Sequence, residues 1–126
     1  MGSQTTAGEV SRQMFRIIRT IASHGDAVIV GRGAPFLVPR DEALRVRVVA
    51  PIELRVERMG KTEELSSRDA DKFVRRTDRE REAFYRHHFG VDCADPMHYD
   101  VVINSGDMSI EAAADIVVTA YRGRFG

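Results

Sequence analysis

Residues 66–88, SSRDADKFVRRTDREREAFYRHH, contain neither glycine nor proline. Inside a helix those residues cost about 1 and 3 kcal/mol, so this stretch is predicted to form one long, uninterrupted helix. Ser66 or Ser67 can cap its start by accepting an otherwise orphaned backbone N–H. At about 100° per residue, Ala70, Phe73, Val74, Thr77, Phe84 and Tyr85 share a broad stripe. Arg68, Arg75, Arg79 and Arg86 fall on a tight arc opposite. Like charges four apart destabilise a bare helix by a few tenths of a kcal/mol, roughly. Two readings follow. In one, the arc is a solvated face, with Asp71, Asp78 and Glu82 beside the arginines and pairs possible between Arg76 and Glu80 and between Glu82 and Arg86. In the other, it closes over a multiply charged anion such as a phosphate, which guanidinium forks recognise in two-pronged fashion. Arg81 projects from the apolar side, where a guanidinium must snorkel or find a partner.

Residues 1–126 are read as a single domain, long enough to bury a core. Hydrophobic residues make up 43% of the chain, which favours folding over disorder. Nineteen basic residues balance nineteen acidic ones, so no net field draws the chain to nucleic acid or a membrane. Lys61 and Lys72 are the only lysines. That arginine bias suits forked recognition of carboxylate or phosphate, and it also tracks GC-rich genomes. The single cysteine, Cys93, excludes an internal disulfide and fits a reducing, cytoplasmic setting. No apolar run is long enough to span a bilayer, and MGSQTTAGE lacks a signal peptide's apolar centre.

A first helix is expected from a Thr5 or Thr6 cap to about His24, with Val10, Met14, Ile17, Ile18 and Ile21 on one face. Gly25 ends it. The run AVIV, 27–30, reads as a strand buried on both faces, as in parallel sheets. A loop with Pro35 and Pro39 leads to LRVRVVA, 44–50, a second strand. Pro51 opens a short helix with Ile52, Val56 and Met59 on one face, ended by Gly60. DVVIN, 100–104, is the third strand, and Ser105-Gly106 turn the chain. Ser109 caps a last helix, expected to face Ile110, Ala113, Ala114, Val117, Val118 and Tyr121 inward and to end at Gly123. The order gives an α/β fold with a mostly parallel sheet of three recognisable strands flanked by helices.

Gly31-Arg32-Gly33 directly follows the first predicted strand. Ligands of open α/β sheets bind beyond the carboxyl ends of strands, and glycines on both sides let backbone approach a ligand while the arginine offers its fork. An ordinary turn with a surface arginine fits equally well. It is no dinucleotide fingerprint, because Phe36 stands where a third glycine belongs. Gly60-Lys61-Thr62 mimics the end of a P-loop. That motif needs a glycine where Arg55 stands, and a strand before it where this chain is helical. His87, His88, Asp92, Cys93, Asp95 and His98 are dense but match no zinc spacing. Neighbouring helical histidines point about 100° apart, so no metal site is predicted there.

Three blocks together resemble the cytidylate kinase-like family of P-loop nucleoside monophosphate kinases: VIVGRGAPFLVP, RVRVVAPIELRVERM, and RRTDRER…FYRHHFGVDCADPMHYDVVINSGDMSIEAAADIV. The likeness runs from about residue 10 to residue 121, in order, and its last block is the most specific. It implies a partial P-loop kinase-like three-layer fold and ATP-dependent phosphorylation of CMP or dCMP, with Mg-ATP as cofactor and a small-molecule nucleotide as partner. It makes the helix at about 66–88 the lid. The family's RDDRDRNR series falls on Arg76-Thr77-Asp78-Arg79-Glu80-Arg81-Glu82-Ala83. The resemblance thus implies catalytic roles for Arg76, Arg79 and Arg81, with Ala83 in place of an arginine and Arg86 a candidate to substitute. It assigns Gly31 and Arg32 to acceptor binding and Ser105-Gly106 to the wall of an adenine pocket.

The same family carries a strand and a GxxxxGK[ST] loop that the 126 residues do not contain. The chain is therefore expected to correspond to the carboxy-terminal portion of such an enzyme and to be inactive as it stands. In the family that strand lies between those matching 27–30 and 45–49. These two are expected to pair directly, or their exposed edges to support self-association. A non-catalytic nucleotide- or anion-binding or association module is the alternative. Zero net charge and interspersed acids argue against a nucleic-acid binder.

Overall fold

The computed structural model describes residues 7–31 and 33–126, with side chains from residue 12 onward except at positions 14 and 15. Helix α1 spans Ala7–His24, and Gly25 leaves it at φ 71°. Thr5, Thr6 and the side chains of Val10 and Met14 lie outside the described residues. Among the described residues of the predicted apolar face, Ile18 is buried, at 4% exposure, while Ile17 and Ile21 are exposed. Ile18 forms a small core with Ala34 and Val38, bordered by Ala22, Ile29, Leu37 and Ala43.

Residues 27–30 form no strand. Ile29 packs on that core, but Val28 is 93% and Val30 84% exposed. The segment therefore partly buries one side chain of four, not both faces. A strand requires a ladder partner about 4.8 Å away, and the expected pairing with 45–49 is not made. The sheet instead has two parallel strands, β1 (Val46–Val49) and β2 (Val101–Asn104), in the register Val46↔Val101 to Val49↔Asn104. Residues paired in register share a face, yet Val48 is 59% exposed beside Ile103 at 3%. Cover reaches β2 and stops short of β1.

Between these strands run α3 (Ile52–Thr62) and α4 (Ser67–Phe89), packed on each other. Gly60 does not end α3. It sits inside the helix, where a Cβ would lie 3.4 Å from the Leu65 carbonyl and 3.6 Å from the Ala70 Cβ. The chain turns instead at Glu63 and at Glu64, whose φ is 54°. Ser66 is the cap of α4, its Oγ accepting from the Asp69 N–H at 3.1 Å. Ala70, Val74 and Tyr85 of the predicted stripe are buried. Gly90, at φ 64°, closes the helix on the Arg86 carbonyl.

Two short elements emerge where a loop was expected: α2 (Ala34–Leu37), with Pro35 in its first turn, and a 3-10 turn at Pro96–His98. Proline is tolerated there because first-turn N–H groups have no helical partner. The last helix, α5 (Ile110–Phe125), is capped by Ser109 and runs through Gly123. It packs against β2 but buries none of its residues fully. Ile110, Val118 and Tyr121, expected inside, are exposed. The α/β class with a parallel sheet stands, with two strands among the described residues.

Candidate phosphate-binding face

The arginines of α4 divide by the acids around them. Arg75 donates through Nε to both oxygens of Asp71 at 3.1 Å, one turn earlier. Arg76 lies 3.9 Å from Glu80 and 5.6 Å from the centre of the Phe73 ring. Arg81 finds the partner its position demands in Asp78, at 3.3 Å. Asp78 is also gripped from α3, where Arg55 Nη1 donates to both its oxygens at 3.0 Å. The expected Glu82–Arg86 pair does not form. Arg79 and Arg86 carry no ion pair or hydrogen bond from their side chains, among the described residues. Seven residues apart, they lie about 20° from eclipsed on one face of the helix. Both guanidiniums are exposed, about 10 Å apart along the helix axis, and such donors are of the kind that recognise anions with several oxygens.

Helix α3 links this face to the turn after β2. Arg55 reaches Asp78, and Arg58, one turn on, donates to the Ser105 carbonyl at 3.3 Å and touches its hydroxyl at 3.5 Å. The Ser105 N–H and hydroxyl both bond the Val49 carbonyl, at 2.8 and 3.3 Å. Gly106 lies where a Cβ would meet Pro51 at 3.0 Å and the Asn104 side chain at 3.1 Å. The turn is thus fastened to the end of β1. Spacing alone missed Arg55 and Arg58, because their partners lie 23 and 47 residues away. Their signal was the i, i+3 repeat of arginines on a helix read only for its apolar face.

Gly31 and Gly33 both have positive φ, 71° and 73°, which is why glycine is needed at these two places. The Gly31 carbonyl accepts from the Ala34 N–H at 3.1 Å. Arg32 itself lies outside the described residues. The other end of α4 packs on this turn through Phe84, Tyr85 and Phe89, with Phe36 of α2 among them. Burial raises the Tyr85 hydroxyl above its ordinary pKa, against a hydrogen bond from the Gly33 backbone that pulls the other way.

The polar residues after α4 are used locally. Asp92 and Asp95 cap the N–H groups of Ala94 and Met97. The Cys93 carbonyl accepts from Arg47 and, at 2.7 Å, from the Tyr99 hydroxyl. Among the described residues no three His, Cys, Asp or Glu side chains converge as metal ligands. Gly60-Lys61-Thr62 is helical, with Lys61 paired to Glu57 at 3.2 Å. No helix of the described residues is long and apolar enough to cross a membrane.

A crystal structure of an uncharacterized protein from Eubacterium ventriosum superposes with a TM-score of 0.84, at 20% identity, over 90% of this chain and 65% of that one. That likeness is one of fold. A cytidylate kinase of Pyrococcus horikoshii is 31% identical over 112 residues, covering 89% of this chain. A uronate isomerase of Corynebacterium glutamicum is 33% identical over 121 residues, covering 93% of this chain. The chain spans 58% of the Pyrococcus kinase and 23% of the Corynebacterium protein. The model of the cytidylate kinase-like family matches residues 2–107. With that match over most of its length, the chain belongs to the cytidylate kinase-like family.

Proposed function

We propose that this chain carries the phosphate-clamping part of a nucleoside monophosphate kinase that takes CMP or dCMP as acceptor and Mg-ATP as donor. The observation that carries the reading is that Arg79 and Arg86, on one face of the helix with Arg68 nearer its start, have no acid against them among the described residues, whereas Arg75, Arg76 and Arg81 do. Phosphoryl transfer depends on positioning and charge neutralisation more than on covalent chemistry by the protein. In this reading Arg79 and Arg86 engage phosphate oxygens directly. Arg76 and Arg81 join by exchanging the carboxylates of exposed Glu80 and half-buried Asp78 for phosphate. Gly31 and Arg32 take the acceptor phosphate, and the Ser105-Gly106 turn flanks the donor base.

The residues present fit one half of a Mg-ATP site. They supply guanidiniums and a tight turn, but no GxxxxGK[ST] backbone cradle with its lysine. No transfer step is therefore assigned to these 126 residues, and they are expected not to turn over ATP with CMP. A second reading is a nucleotide- or anion-binding module without catalysis. A coupled assay of ADP release separates the two. Turnover in the ordinary kinase range of about 1–100 per second by this chain alone would overturn both the expected inactivity and the module reading. The binding claim common to both readings is tested by calorimetry with pyrophosphate. Arg79→Ala should weaken binding about tenfold, as expected for one charge-assisted hydrogen bond. A parent chain that binds nothing at millimolar ligand would refute it.

A further inference from the structure

Helix α5 carries two arcs of apolar residues, and the fold uses one. At about 100° per residue, Ala113, Val117 and Ala120 share an arc with Arg124. The three apolar side chains are half-buried, and Arg124 reaches Asp100. Beside that arc run Ile110, Ala114, Val118, Tyr121 and Phe125, within about 80° of one another. All five are exposed, Ile110 at 85%, Tyr121 at 51% and Val118 at 43%. They recur every three or four residues, the spacing of a helix-pairing seam, and the seam runs about 22 Å along the axis. Its rim carries charge in a set order. Glu111 and Asp115 lie along one side of the amino-terminal half, and Arg122 lies on the same side of the carboxy-terminal half. None of these three side chains has an ion pair or hydrogen bond among the described residues.

We propose that this seam of α5 docks a second copy of the chain, in an antiparallel, two-fold symmetric pair centred near Val118. Charge complementarity selects that occupant. When two copies of one helix pair antiparallel about a two-fold axis, each rim meets the same rim of the other copy in reverse order. Asp115 then lies opposite Arg122 of the second copy, and the converse. The same reversal sets small Ala114 against large Tyr121 and Ile110 against Phe125, with Val118 beside its own symmetry mate. A parallel pair would set this rim against the opposite one, where Arg124 is already engaged by Asp100. Stable interfaces bury about 1,200–2,000 Å². A single helix pair about 22 Å long lies below that range, so the dimer is weak and depends on concentration. The inference stands apart from the phosphate-binding reading, which uses no residue of α5.

Sedimentation equilibrium of the full chain from about 10 µM to about 1 mM, the range of weak pairs, should show the average mass rising from 14.1 kDa towards twice that value. Asp115→Arg and Arg122→Asp each place like charges across both symmetry-related contacts. Each alone should weaken association about fivefold or more, and the two combined should restore the parent's dissociation constant within about twofold. Val118→Glu should leave the chain monomeric throughout, with its helical far-UV signal unchanged. Mild oxidation should cross-link Val118→Cys to its own copy, because a disulfide needs Cα atoms within about 7 Å. Ile110→Cys should not cross-link, its two copies lying about 23 Å apart along the axis; Cys93 is buried and stays out of the reaction. A parent that remains at 14.1 kDa at about 1 mM overturns the dimer and leaves the seam to a different partner. A double exchange that fails to restore association, or Ile110→Cys cross-linking as readily as Val118→Cys, overturns the antiparallel pair. A dimer untouched by Val118→Glu lies elsewhere on the molecule and overturns the proposal as well.

Discussion

Asp78 and Asp100 each lie between two arginines, yet they serve different ends. Asp100 precedes β2 and draws on distant parts of the chain. The Arg45 N–H donates to its Oδ2 at 2.7 Å, Arg124 of α5 donates to the same oxygen at 2.8 Å, and the Arg45 guanidinium lies 3.7 Å from Oδ1. Arg124 also donates to the carbonyls of Arg40 and Ala43. One carboxylate thereby fixes the start of both strands, the end of α5 and the 40–43 loop. Arg45 is 7% exposed, and its Nε has no partner, so its charge depends on Asp100. Asp78 is scarcely more exposed than Asp100, 27% against 24%, but its partners Arg55 and Arg81 are 35% and 52% exposed where Arg45 is 7%; it joins α3 to α4 through Arg55 while occupying Arg81. The difference teaches that arginine count says little here. The placement of acids decides which guanidiniums are structural and which are left unpaired.

The comparison breaks most visibly at Asp100. Asp100→Asn leaves Arg45 buried without a counter-charge. Removing one partner of a buried pair costs about 3–5 kcal/mol. The 24% side-chain exposure of Asp100 brings the expectation down to about 2 kcal/mol, closer to the exposed-pair limit. Denaturant melts should show the midpoint falling with the slope unchanged; a loss under about 0.5 kcal/mol, typical of any surface site, would place Asp100 with Asp78.

Acid sharpens the same contrast. Burial pushes the Asp100 carboxyl up, but the Arg45 N–H and the charges of Arg124 and Arg45 outweigh it, and its pKa lies below the ordinary 3.8. A depressed folded-state pKa contributes stability that is fully present above about 3.8 and is lost as pH falls through the lower folded value. The parent should therefore lose stability below about pH 4 more steeply than Asp100→Asn, in which this proton uptake is missing. Parallel slopes for the two would contradict the assignment.

The smallest effect is expected at Asp78. Asp78→Asn should cost no more than about 1 kcal/mol, because the arginines it leaves, Arg55 and Arg81, are exposed enough to be solvated. It should tighten pyrophosphate binding a few-fold by releasing Arg81, where loss of binding would show that Asp78 shapes the face instead of competing for it.

These distinctions were only partly legible in the sequence. The arginine helix was, because a capping serine and a run free of glycine and proline are local signals: Ser66 caps and the helix runs Ser67–Phe89. The pairing of Arg76 with Glu80 was legible for the same reason, since both partners lie on one turn. Arg55 with Asp78 and Arg124 with Asp100 were not, because helical spacing carries no information about partners on another element. Glu82 lay within reach of Arg86, yet geometry on an exposed helix does not oblige two long side chains to meet. Apolar composition misled at 27–30, where Ile29 alone found a core. It misled again along α5, where Ile110 remains 85% exposed. Gly60 was read as a stop, but a helix tolerates one glycine for about 1 kcal/mol when packing against a neighbour repays it.

The central claim is that availability, not mere presence on the arc, makes an arginine a phosphate ligand. Arg75 and Arg79 share that arc four residues apart; Arg75 is held by Asp71 and Arg79 by nothing among the described residues. Isothermal calorimetry with pyrophosphate on Arg79→Ala and Arg75→Ala compares them directly. The account predicts a loss of about tenfold for Arg79→Ala and less than about twofold for Arg75→Ala, in line with one charge-assisted bond against none. Equal losses from the two variants, or a larger loss from Arg75→Ala, would contradict it.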